Sequence, residues 1–144
     1  MRNTKRDKMG EVHVRVRLTN ATDAEMAEGG LLRPDQVRSC EVEALVDTGA
    51  TRSVISTKVA RQLGLRIRRQ AVATLADGSR IPAGVSSTVS FDILGREHRE
   101  DAYVLGDSVL IGQTVLESTD LLVDCANRKV IINPAHPEGP VLRI

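Results

Sequence analysis

The chain has 144 residues, of which 41% are hydrophobic and 27% charged. This is the profile of a folded domain with its own core, not of a disordered segment. Lys and Arg number 20 against 19 Asp and Glu, a net charge of +1, which argues against electrostatic capture of nucleic acid or an anionic membrane as the main activity. Phe91 and Tyr103 are the only aromatic side chains, too few for a platform on which bases stack. The length predicts a single domain over residues 1–144, with 1–10 as a flexible N-terminal tail. No apolar run nears the ~20 residues that span a bilayer. The basic start, Met1 to Met9, is not followed by the apolar stretch of a secretory signal. Cys40 and Cys125 do not make a disulfide framework. Each shares alternation with aliphatic neighbours, so both are read as small buried thiols. The expected compartment is the cytoplasm.

The order of residues predicts many short strands and two short helices. Val12, Val14, Val16 and Leu18 alternate with His13, Arg15 and Arg17, the period of a half-buried strand. Residues 20–36 turn polar, with Gly29, Gly30 and Pro34 as breakers, and are read as a long exposed loop. A second strand is expected over residues 37–46. Residues 56–63 fit a two-turn helix, with Ser56 or Thr57 as cap and Gly64 as stop. Asp77-Gly78 lies between flanks that can pair, the signature of a two-residue type I′ hairpin over residues 72–85. The cluster Arg66, Arg68 and Arg69 reads as a solvated strand edge. Val85, Val89, Phe91 and Ile93 alternate along a further strand, and Gly95-Arg96 turns it into the next. Val109, Leu110 and Ile111 form a short apolar run ending at Gly112, with a brief helix expected over residues 113–117. Residues 121–123 and 130–132 flank Asn127 in a last hairpin, and residues 134–144 form an extended tail.

One tripeptide stands out. Asp47-Thr48-Gly49 closes the apolar strand end Ala44-Leu45-Val46, and strand character resumes at Ser53-Val54-Ile55. An Asp at the end of a buried strand needs hydrogen bonds or a charge partner. Gly49 permits a sharp turn and leaves room beside the carboxylate. Thr48 can bond neighbouring backbone and stiffen the loop. Taken alone, the tripeptide is also an ordinary Asp-x-Gly turn.

Residues 37–116 resemble the retropepsin-like aspartic proteases, and the cellular and bacterial members more than the viral ones. The resemblance lies in Asp47-Thr48-Gly49-Ala50, the strand at Ser53, the hairpin at the place of the family's flap, and Leu110-Ile111-Gly112 before a short helix. It implies a mainly β, closed barrel-like fold with one or two short helices. It assigns catalysis to Asp47 and support of the catalytic loop to Thr48 and Gly49. Leu110 and Gly112 support the second motif. Ala50, Thr51, Ala76, Asp77, Gly78 and Ile111 would contact substrate. Thr51 and Gln113 depart from the viral pattern, in which an acidic residue and an Arg stand at these places. No metal or organic cofactor is implied.

Hydrolysis by this route uses two carboxylates that share one proton and one water. The chain holds a single Asp-Thr/Ser-Gly, so the second Asp must come from another copy, with both Asp47 residues on a two-fold axis. The expected partners are a second copy and a peptide or protein substrate, with no nucleic acid or membrane. Two other readings stay open: a retropepsin-like dimerisation or peptide-binding module that does not cleave, and an unrelated β-barrel with a chance turn. The last requires Asp47 to be exposed and unpaired.

Overall fold

The computed structural model describes residues 10–142 and residue 144. The N-terminal tail expected over residues 1–10 therefore lies outside the described residues, apart from Gly10. Nine strands and three helices follow in chain order: β1 (His13–Asn20), α1 (Ala21–Glu28), β2 (Ser39–Val46), β3 (Val54–Ile55), α2 (Thr57–Gln62), β4 (Ile67–Thr74), β5 (Arg80–Ile93), β6 (Arg96–Val104), β7 (Leu110–Ile111), α3 (Gln113–Thr119), β8 (Leu121–Asp124) and β9 (Lys129–Ile132). A single turn of 3-10 helix, Pro34–Gln36, precedes β2.

Six strands close into a ring in the order β1-β2-β7-β3-β6-β5, and β5 returns to β1. The chain thus forms the mainly β, barrel-like fold expected. β4 lies outside the ring and pairs with the first half of β5 from Thr74↔Arg80 to Ile67↔Ser86. The second half of β5 pairs with β1 from Asn20↔Val89 to Arg17↔Asp92. One long strand therefore runs from the barrel wall out into a projecting hairpin. β8 and β9 form a separate ribbon.

The alternation read in β1 holds. Val14, Val16 and Leu18 point into the barrel, and His13, Arg15 and Arg17 point outward. They meet Phe91, Val89, Ile93, Ile55, Leu63, Ile111 and Val115, all fully buried. Burying each such side chain contributes about 1.5–3 kcal/mol. On the outer face Glu41 pairs with Arg15 at 2.9 Å and Arg17 at 3.5 Å, which adds little because all three are solvated.

Four local expectations are corrected. Residues 20–36 are not one exposed loop, since α1 occupies their first half. Asn20 caps it by accepting from the Asp23 amide at 3.0 Å and anchors it by donating to the Leu63 carbonyl at 2.9 Å. The hairpin at Asp77-Gly78 is not a two-residue type I′ turn. The Gly78 amide donates to the Leu75 carbonyl, the Leu75 amide donates to Ser79, and only Gly78 takes a positive φ of 86°. This is a three-residue loop whose last residue is left-handed. The two-residue turn with both φ positive is Leu94-Gly95, at 54° and 81°, one residue earlier than Gly95-Arg96. Finally, Cys125 is exposed in the turn after β8 and Cys40 is only half-buried, so the two are not a buried pair.

α1 is held by an ion pair. Asp23 is buried and accepts from Arg38 three times, at the amide (3.1 Å), Nε (2.8 Å) and Nη2 (3.0 Å). The Arg38 donors hold the Asp23 carboxyl below the usual carboxylate range. A depressed folded pKa means that the unfolded chain takes up the proton first on acidification. The stabilisation is therefore complete above the ordinary Asp pKa near 3.8 and is lost as pH falls through the lower folded value. Asp23→Ala should lower stability by about 1.5–3 kcal/mol at neutral pH, the range for hydrogen bonds to a charged group. Urea midpoints measured from pH 7 downward check this. The gap between variant and wild type should close only below about pH 4. A gap that persists unchanged at the acid end would reject the ion pair as its source.

Candidate active site

Asp47 directly follows β2. Its amide donates to the Ile111 carbonyl at 2.9 Å, which continues the parallel pairing of β2 with β7. The chain then turns back at once, with the Ala50 amide donating to the Asp47 carbonyl at 3.1 Å. Inside this turn Asp47 Oδ1 accepts from the Gly49 amide at 3.1 Å. The carboxylate is thus half-exposed and oriented by its own loop, not exposed and unpaired. Gly49 does not take a positive φ. A Cβ there would stand 3.3 Å from Asp47 Oδ1, close enough to push the carboxylate by a few tenths of an ångström.

The loop rests on the second motif. β7 lies between β2 and β3, parallel to the first and antiparallel to the second. Gly112 then brings the chain against the back of the Asp47 turn. A Cβ at Gly112 would meet the Arg52 carbonyl carbon at 2.6 Å, its oxygen at 2.7 Å and the Ala50 oxygen at 3.0 Å. The first amides of α3 complete the junction: Gln113 donates to the Ala50 carbonyl at 2.8 Å and Thr114 to the Thr51 carbonyl at 3.0 Å. Gly112 itself donates to Ser53 Oγ at 3.0 Å.

The predicted residues divide into groups. Asp47, Thr48, Gly49, Ala50, Thr51, Leu110 and Gly112 come together in this junction. Thr48 is exposed, and among the described residues its hydroxyl has no hydrogen-bond partner, so it does not stiffen the loop from within. Ile111 is fully buried in the core. Successive strand side chains face opposite ways, and it is Leu110 that stays half-exposed. Ile111 is therefore corrected from a substrate contact to a core residue. Ala76, Asp77 and Gly78 sit exposed at the hairpin tip, with no hydrogen bond to the Asp47 loop among the described residues. Asp77 accepts from the Ser79 amide and hydroxyl. Those donors hold its carboxyl below the usual range and commit it to the turn.

Ser53, Glu100 and Thr114 also belong to the junction, and no local sequence pattern marks them together. Ser53, a small hydroxyl in an otherwise aliphatic strand, was the available signal. Glu100 lay hidden in a run of charges. An open groove beside the junction is lined by Thr48, Gln113, Leu116, Leu121, Leu122 and the tail residues Val141 and Leu142, among others. Among the described residues no group of three or more His, Cys, Asp or Glu is placed to hold a metal ion, and no helix is long and apolar enough to cross a membrane.

The junction of an Asp-Thr-Gly turn with an inserted apolar-apolar-Gly strand has counterparts. The model of the family described as "gag-polyprotein putative aspartyl protease" matches residues 36–118, more than half of the chain. The chain belongs to this family. The match contains the Asp47 turn, the projecting hairpin and the second motif. It excludes β1, α1 and the β8–β9 ribbon. Among solved structures, the retroviral protease-like domain of Ddi1 from Leishmania major superimposes with a TM-score of 0.51 at 17% identity, over 95% of this chain and 94% of that one. Likeness at that identity shows the fold, which is retropepsin-like. No curated protein matches the chain. In this retropepsin-like frame β7 is the inserted strand that backs the Asp47 turn.

Proposed function

We propose that the protein is an aspartic endopeptidase whose active centre is completed by a second copy of the chain. The observation that carries this reading is the half-exposed Asp47 carboxylate, fixed by the Gly49 amide at 3.1 Å in a chain with no second Asp-Thr/Ser-Gly. One such acid cannot supply both a base and an acid to the same bond. Two copies facing each other across a two-fold axis supply both.

In this mechanism the two Asp47 carboxyls hold one proton between them, because like charges at close range do not both ionise. The ionised carboxylate takes a proton from a water as its oxygen attacks the peptide carbonyl carbon. The protonated partner gives its proton to the carbonyl oxygen, so a neutral tetrahedral diol forms. Collapse of the diol returns one hydroxyl proton to a carboxylate, and the other carboxyl protonates the departing amine. The hairpin tip at Ala76, Asp77 and Gly78 acts as a lid that excludes water on closing. The exposed Thr48, together with the apolar Leu122, Val141 and Leu142 alongside it, supports a second copy as the covering partner. Leu122, Val141 and Leu142 are 42%, 58% and 57% exposed in the single chain.

Activity should therefore depend on protein concentration. Specific activity on a peptide library, inhibited by a pepstatin-type compound, should fall on dilution below the dimer dissociation constant. Sedimentation at the same concentrations should show dimer giving way to monomer. Constant specific activity down to nanomolar protein, with only monomer present, would overturn the shared site.

A further inference from the structure

We propose that Glu100, on β6, is the positioning residue that sets the Asp47 loop against the second motif. Its side chain is 7% exposed, and among the described residues its one charge partner within ion-pair distance is His98. A carboxylate so buried must be met by donors, and three converge on it. Oε2 accepts from the Ser53 amide at 3.2 Å. Oε1 accepts from the Thr114 hydroxyl at 2.5 Å and faces His98 Nε2 at 2.9 Å.

Two of these donors belong to the two segments that make the site. Ser53 is where the loop carrying Asp47 re-enters the sheet, and its Oγ takes the Gly112 amide. Thr114 lies in the first turn of α3, and its amide holds the Thr51 carbonyl. One carboxylate on a strand of the barrel wall thus grips both sides of the junction. An ionised carboxylate suits the place because it is acceptor only and has room for several donors. An amide keeps one acceptor oxygen of the two, so in either orientation its N–H₂ faces a donor, the Ser53 amide on one side or the Thr114 hydroxyl and His98 on the other. Glu100 acts through Ser53 and Thr114 on the height and tilt of the Asp47 turn.

The inference rests on Asp47 as the catalytic acid, and its test has one arm that does not. In the full chain, Glu100→Ala should lower kcat on a peptide substrate about 100-fold, the scale of a ~1 Å misplacement. KM should change less than kcat, within about threefold, since the hairpin tip and the groove lined by Leu122 and Val141 keep their place and only the Asp47 loop shifts. Glu100→Gln, which keeps the shape should the alanine variant not fold, should lose about tenfold in kcat. Thr114→Val should show the same split more weakly, and its effect should not add to that of Glu100→Gln. The second arm is amide exchange by NMR. Exchange at Ser53 and Gly112 should quicken at least tenfold in the Gln variant while amides in the β1–β2 pairing keep their rates. Unchanged kcat, or exchange that quickens evenly over the whole chain, would reduce Glu100 to an ordinary stabilising group and overturn the proposal. If the wild-type chain cleaves no peptide, the Asp47 reading fails. The local exchange change then still decides whether Glu100 sets the loop.

Discussion

Asp47→Asn is expected to abolish peptide hydrolysis while leaving the fold and the pairing of copies in place. The amide has the size and shape of the carboxylate. Its oxygen can still accept from the Gly49 amide, which in the wild type reaches Asp47 Oδ1 at 3.1 Å. The Asp47 amide still donates to the Ile111 carbonyl, so the end of β2 stays paired. What is lost is the ability to hold and exchange a proton. Neither copy can then take a proton from water, and neither can deliver one to the carbonyl oxygen. Removal of a general acid–base partner costs ~10²–10⁴-fold. In the proposed two-copy site one substitution removes both partners, because each copy would carry it, so the loss should lie at the upper end or beyond. Circular dichroism and size exclusion should match the wild type. Mixing experiments sharpen the test. Pairs formed from one wild-type and one Asp47→Asn chain should also be inactive, so excess variant should inhibit wild-type activity. Residual activity within about tenfold of wild type would remove Asp47 from the acid–base role.

The parts of the site that lie close together in sequence were legible, and those assembled from distant segments were not. The Asp47 turn and Leu110-Ile111-Gly112 are each a few residues long, so their chemistry shows in the local pattern. α2 was legible for the same reason. Its cap Ser56 accepts from the Val59 amide at 3.2 Å, and Gly64 ends it with a φ of 64°. α1 carries no such pattern. It buries only Ala21 and Asp23, and it stands because Asn20 reaches Leu63 and Asp23 reaches Arg38, contacts no local window contains. The hairpin turns were misjudged because turn type depends on strand register as well as on residue preference. Pairing of Ile93 with Arg96 leaves two residues for the turn and drives Leu94 into a left-handed conformation that its side chain disfavours. Thr74 pairs with Arg80 instead, so Asp77-Gly78 need not form the two-residue turn it favours.

Glu100 shows the limit of period-two reasoning. Residues 96–101 are all charged or His, so alternation cannot separate an inner from an outer face. Both Arg96 and Glu100 prove to be buried. Arg96 donates to the carbonyls of Thr119, Asp120 and His136, which closes the end of α3 and ties down the tail. The same alternation did separate faces in β1, where charge and aliphatic residues take turns. The strand order, with β7 between β2 and β3, was not legible, since periodicity says nothing of which strands are neighbours.

Gly112→Ala should be strongly damaging although it adds only one methyl group. The backbone at Gly112, with φ −94° and ψ −178°, is one that alanine adopts freely, so no conformational strain is involved. By that criterion alone the substitution would stabilise by about 0.4–1 kcal/mol, through a less flexible unfolded chain. Space decides otherwise. The new Cβ would sit 2.6 Å from the Arg52 carbonyl carbon and 2.7 Å from its oxygen. These are backbone atoms of the loop that carries Asp47, and no rotamer change can clear them. Either the loop or the start of α3 must move, which strains the Gln113–Ala50 and Thr114–Thr51 hydrogen bonds that join them. Overpacking of this kind costs about 1–3 kcal/mol, and displacement of the Asp47 turn by about 1 Å should lower kcat/KM some 100-fold. Gly139→Ala is the matched control, since a Cβ there meets nothing within 4 Å and no positive φ is involved. It should leave activity at the wild-type value and the melting temperature at or slightly above it, by the unfolded-chain effect alone. Thermal melts and kcat/KM for the two variants test the argument together. A Gly112→Ala protein as stable and active as the Gly139→Ala protein would mean that the second motif does not press on the Asp47 loop, and the junction could not be what positions the acid.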